Sequence, residues 1–185
     1  IPDMPMNYTG IENALYSYLY EGVFDTISRY TRGGTTRELR HLFEYYMDLV
    51  NYVRIFRMKY HYKEGPDFIR SSLLPFGTVR KAQLDQLIFS ESREDAFALL
   101  KTIPSGRRLL STGYDYPDEA PEIFTLQECL HDIHFSTHPS VVMFAYVFIL
   151  QFELHDITTI VEGVRYHLPA KQIEKLLITN NVWKG

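Results

Sequence analysis

His131, His134 and His138 follow Glu128 at intervals of three and four residues. That spacing lines up ligands on one face of a helix and is the chain's nearest approach to a metal-binding pattern. Thr137 and Pro139 end such a helix before His138, so the facing set is broken and no metal site is expected. Cys129 has His131 two positions on, which on a helix points away from it, so no thiol–imidazole pair forms. TRGGTTRE (Thr31 to Glu38) has paired glycines, yet no strand precedes them and no lysine stands where a phosphate would need one. No serine lies in a nucleophile elbow. The remaining chemical candidate is Glu153, which shares a helical arc with Tyr146, Ile149, Ile157, Ile160 and Val164. It is expected to be a partly buried carboxylate paired with Arg57, Arg54 or a residue outside this portion of the protein, because structural ion pairs of this kind are commoner than catalytic acids. The expectation is no catalytic residue, no cofactor and no metal.

A second concentration of reactive types is EYYMDLVNYVRIFRMKYHY, residues 44–62. Its tyrosines surround the whole circumference of a helix instead of forming one stacking platform, so packing explains them better than nucleic-acid binding. One broad face carries Leu39, Leu42, Phe43, Tyr46, Leu49, Val50, Val53, Phe56 and Tyr60; Tyr45, Tyr52 and Ile55 lie elsewhere. A helix with two apolar sides is a central member of a bundle. Arg57 falls inside the first arc, where a cation must snorkel, find a carboxylate or lie at an interface. Asp48 sits in the opposite arc with Tyr52, Ile55 and Lys59, and is expected to be paired or solvated.

The elements that would hold these residues are helical. Apolar spacing predicts helices over Ile11–Tyr30, from Thr35 or Thr36 to about Tyr62, Val79–Ile88 capped by Thr78, and Ser90 or Ser92 to Leu100. It predicts three more over Thr125–Phe135, Thr137 or Pro139 to Tyr166, and Ala170–Ile178. Gly33-Gly34 is read as closing the first helix, and Pro104 to Pro121 as a loop with Tyr114 and Tyr116 large enough to pack. No stretch alternates with period two for long, so the fold class is all-α. With 45% hydrophobic and 23% charged residues the chain is globular, and its formal charge of -4 argues against a polyanion partner. The apolar run Phe135 to Phe152 is read as a buried helix too short to span a bilayer before Glu153 arrives. The opening IPDMPMNY has neither an initiator Met nor a basic-then-apolar leader, which suggests a portion of a longer protein.

DLVNYVRIF (Asp48 to Phe56) and ELHDITTIV (Glu153 to Val161) share an acidic first residue, a polar residue three later and an isoleucine seven later. Each precedes a break and a Leu-Leu pair, Leu73-Leu74 and Leu176-Leu177, so duplicated helical units are expected. EYYMDLVNYVRIFRMK followed by SSLLPFGTV, and later FELHDITTIVEGVRYHLPAKQIEKLLI, resemble the C subunit of bacterial and archaeal V/A-type ATPases, a relative of the eukaryotic vacuolar subunit d. In that pattern Asp48 and Asn51 lead a helix toward Arg57 and a turn at Pro75 to Gly77; Glu153, Asp156, Ile157 and Ile160 stand in matching places before the turn at Leu168-Pro169. The chain departs from the pattern at Gly163-Val164-Arg165, where a basic side chain more usually comes first.

The resemblance implies a bundle of repeated three-helix units, over 11–102 and 123–180 joined by 103–122, forming the C-terminal portion of the family's domain. It implies a non-catalytic connector on the cytoplasmic side of the membrane, without a membrane span, seated between the central shaft and the proteolipid ring and transmitting torque during proton or sodium transport. Structural ion-pair candidates are then Asp48, Asn51, Arg57, Glu153 and Asp156. Partner-contact candidates are the cations near helix ends: Arg32, Arg37, Arg40, Arg107, Arg108, Lys171 and Lys175. Exposed apolar edges are expected to favour self-association of the isolated piece. The other class left open is a helical scaffold or adaptor unrelated to rotary ATPases.

Overall fold

The computed structural model describes residues 8–111 and 120–182, and everything described in them is helix, turn or coil, with no strand. The helices are α1 (Tyr8–Tyr30), α2 (Gly33–Phe56), α3 (Pro66–Ser71), α4 (Lys81–Phe89), α5 (Arg93–Thr102), α6 (Pro104–Ser111), α7 (Ala120–Phe135), α8 (Pro139–Arg165), α9 (Ala170–Leu176) and α10 (Ile178–Val182). They divide into two compact units, Ile1–Pro121 and Glu122–Gly185.

In the first unit α2 is the axis, packed by α1 and α6. It buries two faces, as its composition requires: Leu39, Leu42, Phe43, Leu49 and Phe56 on one, Tyr45, Tyr52 and Ile55 on the other, with Met47 between them. Aromatic edges and stacks close the seams, Phe24 against Phe43 and Phe76 from the α1 side and Phe56 against Phe97 of α5. α2 does not stop at Phe56 but continues as one π turn, Arg57–His61. No residue of this turn is buried, so Arg57, which the helical wheel places in the apolar arc, is exposed where the packed part of α2 ends.

Several termini differ from their sequence reading. Gly33 has φ 61° and opens α2. Having no Cβ, it takes the left-handed conformation that lets the chain reverse within two residues of α1. Arg32, in place of Thr35 or Thr36, precedes the helix. Thr78 does not cap α4, which starts at Lys81 after Arg80, with the Gln83 side chain accepting from the Arg80 amide. Ser92 is the N-cap of α5, its hydroxyl accepting from the Asp95 amide at 3.1 Å. Pro104–Ser111 is helical, with Pro104 at its first position, and buries Ser105 and Leu109. The rest of the expected loop, 112–119 with Tyr114 and Tyr116, lies outside the described residues.

In the second unit α8 packs against α9 and α10. Its inward face is Val141, Ala145, Phe152, Asp156 and Gly163. A Cβ on Gly163 would lie 2.7 Å from the Ile173 side chain, so glycine is what lets α9 lie directly on α8. α8 runs unbroken through Glu153 for 27 residues. It is long and apolar enough to cross a bilayer by length and composition, and most of that apolar surface is not buried. The helix has the extent expected of it, to about Tyr166, but the expectation that its apolar run is buried is overturned: α8 has two apolar sides, and the one assigned to the interior faces solvent.

Candidate functional site: polar clamps on the long helices

The buried polar groups collect at two places, each where a long helix grips the chain that follows it. Asp48 in α2 is 1% exposed and is in no ion pair among the described residues. Its Oδ2 accepts from the Thr78 hydroxyl at 2.5 Å and its Oδ1 from the Val79 amide at 3.2 Å. The Ser105 hydroxyl at the start of α6 is near enough to favour the ionised form of the carboxyl as well. Ser105 in turn meets the Tyr52 hydroxyl at 2.7 Å, and its carbonyl accepts from Tyr45 at 3.2 Å. A Cβ on Gly77 would sit 2.0 Å from Asp48 Oδ1, so only glycine lets the loop close over the carboxylate. Burial pushes the Asp48 carboxyl above its ordinary range, and the donated hydrogen bonds only partly offset this. Burial also raises the Tyr52 phenol.

One turn along, Asn51 is equally buried. Its Oδ1 accepts from the Leu74 amide at 2.8 Å and its Nδ2 donates to the Leu74 carbonyl at 2.9 Å, an exchange that mimics one rung of a backbone ladder. In the second unit Asp156 of α8 does the corresponding task. Its Oδ1 accepts from the Ile178 amide at 2.8 Å, and its Oδ2 accepts from the Thr179 amide at 2.9 Å and from the Thr179 hydroxyl. Asn51 and Asp156 thus both hold backbone at or just after a Leu-Leu pair, from 22 or 23 residues upstream. Buried amides in loops need such partners, because an unpaired one costs about 1–3 kcal/mol.

Asp48, Asn51 and Asp156 are therefore buried hydrogen-bond acceptors. Arg57 and Glu153 are both exposed, and none of the five is ion-paired among the described residues. Glu153 was expected to be partly buried, but the arc around it is itself turned outward: Tyr146, Ile157, Ile160 and Val164 are all exposed. The working cations are Arg54, expected instead beside Glu153, and Lys59 and Arg70, for which no partner was expected. Arg54 donates to Asn13 Oδ1 and, at 2.6 Å, to the Ser72 carbonyl, fastening α1 and the end of α3 to α2. Lys59 donates to the Leu87 and Ser90 carbonyls at 3.1 and 2.5 Å and meets Ser90 Oγ at 2.7 Å, closing the C-terminus of α4. Burial lowers its pKa. Arg70 bridges Asp67 and Asp85 at 3.2 and 2.8 Å. The signal available for Arg54 and Lys59 was weak: a long cation on a helix otherwise apolar all round.

Among the partner-contact candidates, Arg32 donates to the Ser28, Arg29 and Thr31 carbonyls at 2.9, 3.2 and 2.7 Å, capping α1. Arg40 pairs with Glu44 at 3.0 Å and lies over the Phe24 ring. Together with exposed Arg37 they line a shallow cavity of about 590 Å³ at the α1–α2 corner. Arg108 lies over the Tyr45 ring; Arg107, Lys171 and Lys175 are exposed.

No group of three His, Cys, Asp or Glu side chains converges among the described residues. His131 is 3.6 Å from Asp132, His134 Nδ1 lies 2.7 Å from the Leu130 carbonyl, and His138 precedes α8. Cys129 is buried and its thiol is pushed up to about 12, which keeps it protonated and inert. A cavity of about 330 Å³ beside the first clamp is lined by Asn51, Arg70, Leu74, Pro75, Lys81 and Asp85. Asn51 and Arg70 are committed to Leu74 and to Asp85 and Asp67. The arrangement can hold chain to chain; it offers no nucleophile with its base.

No curated protein and no solved structure matches the chain. The family model described as ATP synthase (C/AC39) subunit matches residues 5–176, which take in the first clamp and Asp156 of the second. With nearly the whole length matched, the chain belongs to the ATP synthase (C/AC39) subunit family.

Proposed function

We propose that the protein is a non-catalytic connector in the central stalk of a V/A-type rotary ATPase, on the cytoplasmic side of the membrane. There it joins the central shaft to the proteolipid ring and passes torque between them during proton or sodium transport. Family membership gives the setting. The observation that carries the mechanical part is the use of the buried polar groups: Asp48 and Asn51 tie α2 to the loop after α3, and Asp156 ties α8 to the start of α10. A coupler must transmit force without shearing. A carboxylate or amide buried in the seam resists sliding better than apolar contact does, since any slip leaves donors unpaired in a dry interior. The exposed cations Arg37, Arg107, Lys171 and Lys175, with Arg32, Arg40 and Arg108, are the proposed contacts, facing acidic surfaces of the shaft or polar loops of the ring.

The test is capture of the tagged protein with detergent-solubilised ring and with shaft subunits in separate arms. Retention of both, weakened by charge reversal at Arg37 and Lys171, is the expected result. Failure to retain either partner at low salt would refute the connector reading.

A further inference from the structure

Asn51 is 1% exposed, yet its carboxamide is only partly used. The side chain carries one oxygen and two N–H donors. The oxygen accepts from the Leu74 amide at 2.8 Å and one N–H donates to the Leu74 carbonyl at 2.9 Å, a pairing that also settles which end of the group is nitrogen. The second N–H has no partner among the described residues. Buried donors without an acceptor are rare in folded proteins, so an oxygen belongs beside this one. There is room for it, because Asn51 forms part of the wall of the cavity of about 330 Å³ enclosed by α2, α3, α4 and the loop from α3 to α4.

A water molecule occupies about 30 Å³, so one water would satisfy the amide and leave most of the cavity over. The rest of the wall is largely carbon, from Leu73, Pro75, Val79 and Leu84, which water solvates poorly. The charges in the lining are unequal. Asp85 accepts from Arg70 at 2.8 Å, whereas Lys81, exposed at the start of α4, has no carboxylate partner among the described residues. A cationic ligand would meet two cations against one carboxylate that is already taken, and a wholly apolar one would leave the Asn51 donor unpaired.

We infer that the cavity is a binding site for a small monocarboxylate with a short hydrocarbon body. One carboxylate oxygen accepts from Asn51 Nδ2, Lys81 answers the charge, and the hydrocarbon lies on Leu73, Pro75, Val79 and Leu84. Leu74 and Val79 are the residues whose amides Asn51 and Asp48 hold, so a bound carboxylate stiffens the same loop that the first clamp fastens. The inference does not rest on the connector reading.

The probe is sodium 4-methylpentanoate, added to the complete, isotopically labelled chain and followed in two-dimensional amide NMR spectra, with sodium chloride at equal ionic strength as the control. Saturable shifts are expected at the Asn51 side-chain amide and at the backbone amides of Leu74 and Val79, with a dissociation constant of about 1 mM or tighter, the range open to a ligand of this size. 4-Methylpentanamide, which keeps the body and loses the charge, binds about fivefold more weakly. Acetate, which keeps the charge and loses the body, binds weaker by about tenfold or more. Lys81→Glu, at an exposed first-turn position where glutamate suits the helix, retains the fold and weakens the carboxylate about tenfold while leaving the carboxamide's affinity as it was. The inference is overturned if the Asn51 side-chain amide does not shift or its shift does not saturate, if sodium chloride moves it equally, if the carboxamide or acetate binds as tightly as 4-methylpentanoate, or if Lys81→Glu leaves the affinity unchanged.

Discussion

Asp48 is a buried carboxylate held by a threonine hydroxyl and a backbone amide, and it is in no ion pair among the described residues. Replacing it with alanine leaves those donors unpaired, and Asp48→Ala is expected to lower unfolding free energy by about 2–3 kcal/mol, measured by urea titration. Gly77→Ala should cost a similar amount, because its Cβ would occupy the place of Oδ1. In an Asp48→Ala background the same change should cost much less, which a double-mutant cycle reads directly. The sign of the pH dependence follows from the raised carboxyl. The folded state binds the proton more tightly than the unfolded chain, so Asp48's contribution is fully present below the ordinary carboxylate pKa and is lost as pH rises through the folded value. Relative to Asp48→Asn, which does not titrate, the wild type should lose stability across that window and stay level above it. A flat difference, or one of opposite slope, would mean the carboxylate is not buried as described. At this scale the sequence was partly legible. An acidic residue within an apolar helix marked Asp48 as constrained, but its partners Thr78, Val79 and Ser105 lie 30 to 57 residues away and no local spacing announces them.

The helices themselves were legible wherever apolar spacing ran for several turns, as in α1, α2 and α8. The misreadings have two physical origins. The packed part of α2 ends at Phe56, and a wheel that continues the apolar arc past it placed Arg57 inside although the turn Arg57–His61 buries nothing. In α8 two apolar faces compete, and periodicity alone does not say which one meets the core; Glu153 was assigned to the wrong side for that reason. α6 was hidden because Pro and Gly signal turns, although Pro at the first turn of a helix is compatible with one. Two predictions belong to this scale. Asp156→Ala should free the start of α10, raising amide exchange at Ile178 and Thr179 while the amides of α8 around Ala145 stay protected. Gly163→Val should force α9 from α8 at a cost of about 1–3 kcal/mol, read by thermal melting; no change there would mean the close approach is not required.

The molecule as a whole uses its buried polarity to fix helices to loops and leaves no catalytic arrangement in the described residues, which suits a part that moves as a body. Its all-α class, its clamps and its family agree. Family membership was legible in the sequence through motif resemblance, whereas the polar clamps became visible only once Asn51 and Asp156 were seen to grip backbone 22 or 23 residues downstream. The central claim is coupling without catalysis, and it is tested most directly in vesicles carrying the complete rotary ATPase with this protein present, omitted, or replaced by the Asp48→Ala, Asp156→Ala double variant. ATP hydrolysis and ion uptake are followed together. The account predicts that hydrolysis persists in all three while ion uptake per ATP falls to background on omission and is reduced in the double variant. Full ion uptake without the protein, or loss of hydrolysis by the isolated catalytic head when it is withheld, would contradict it.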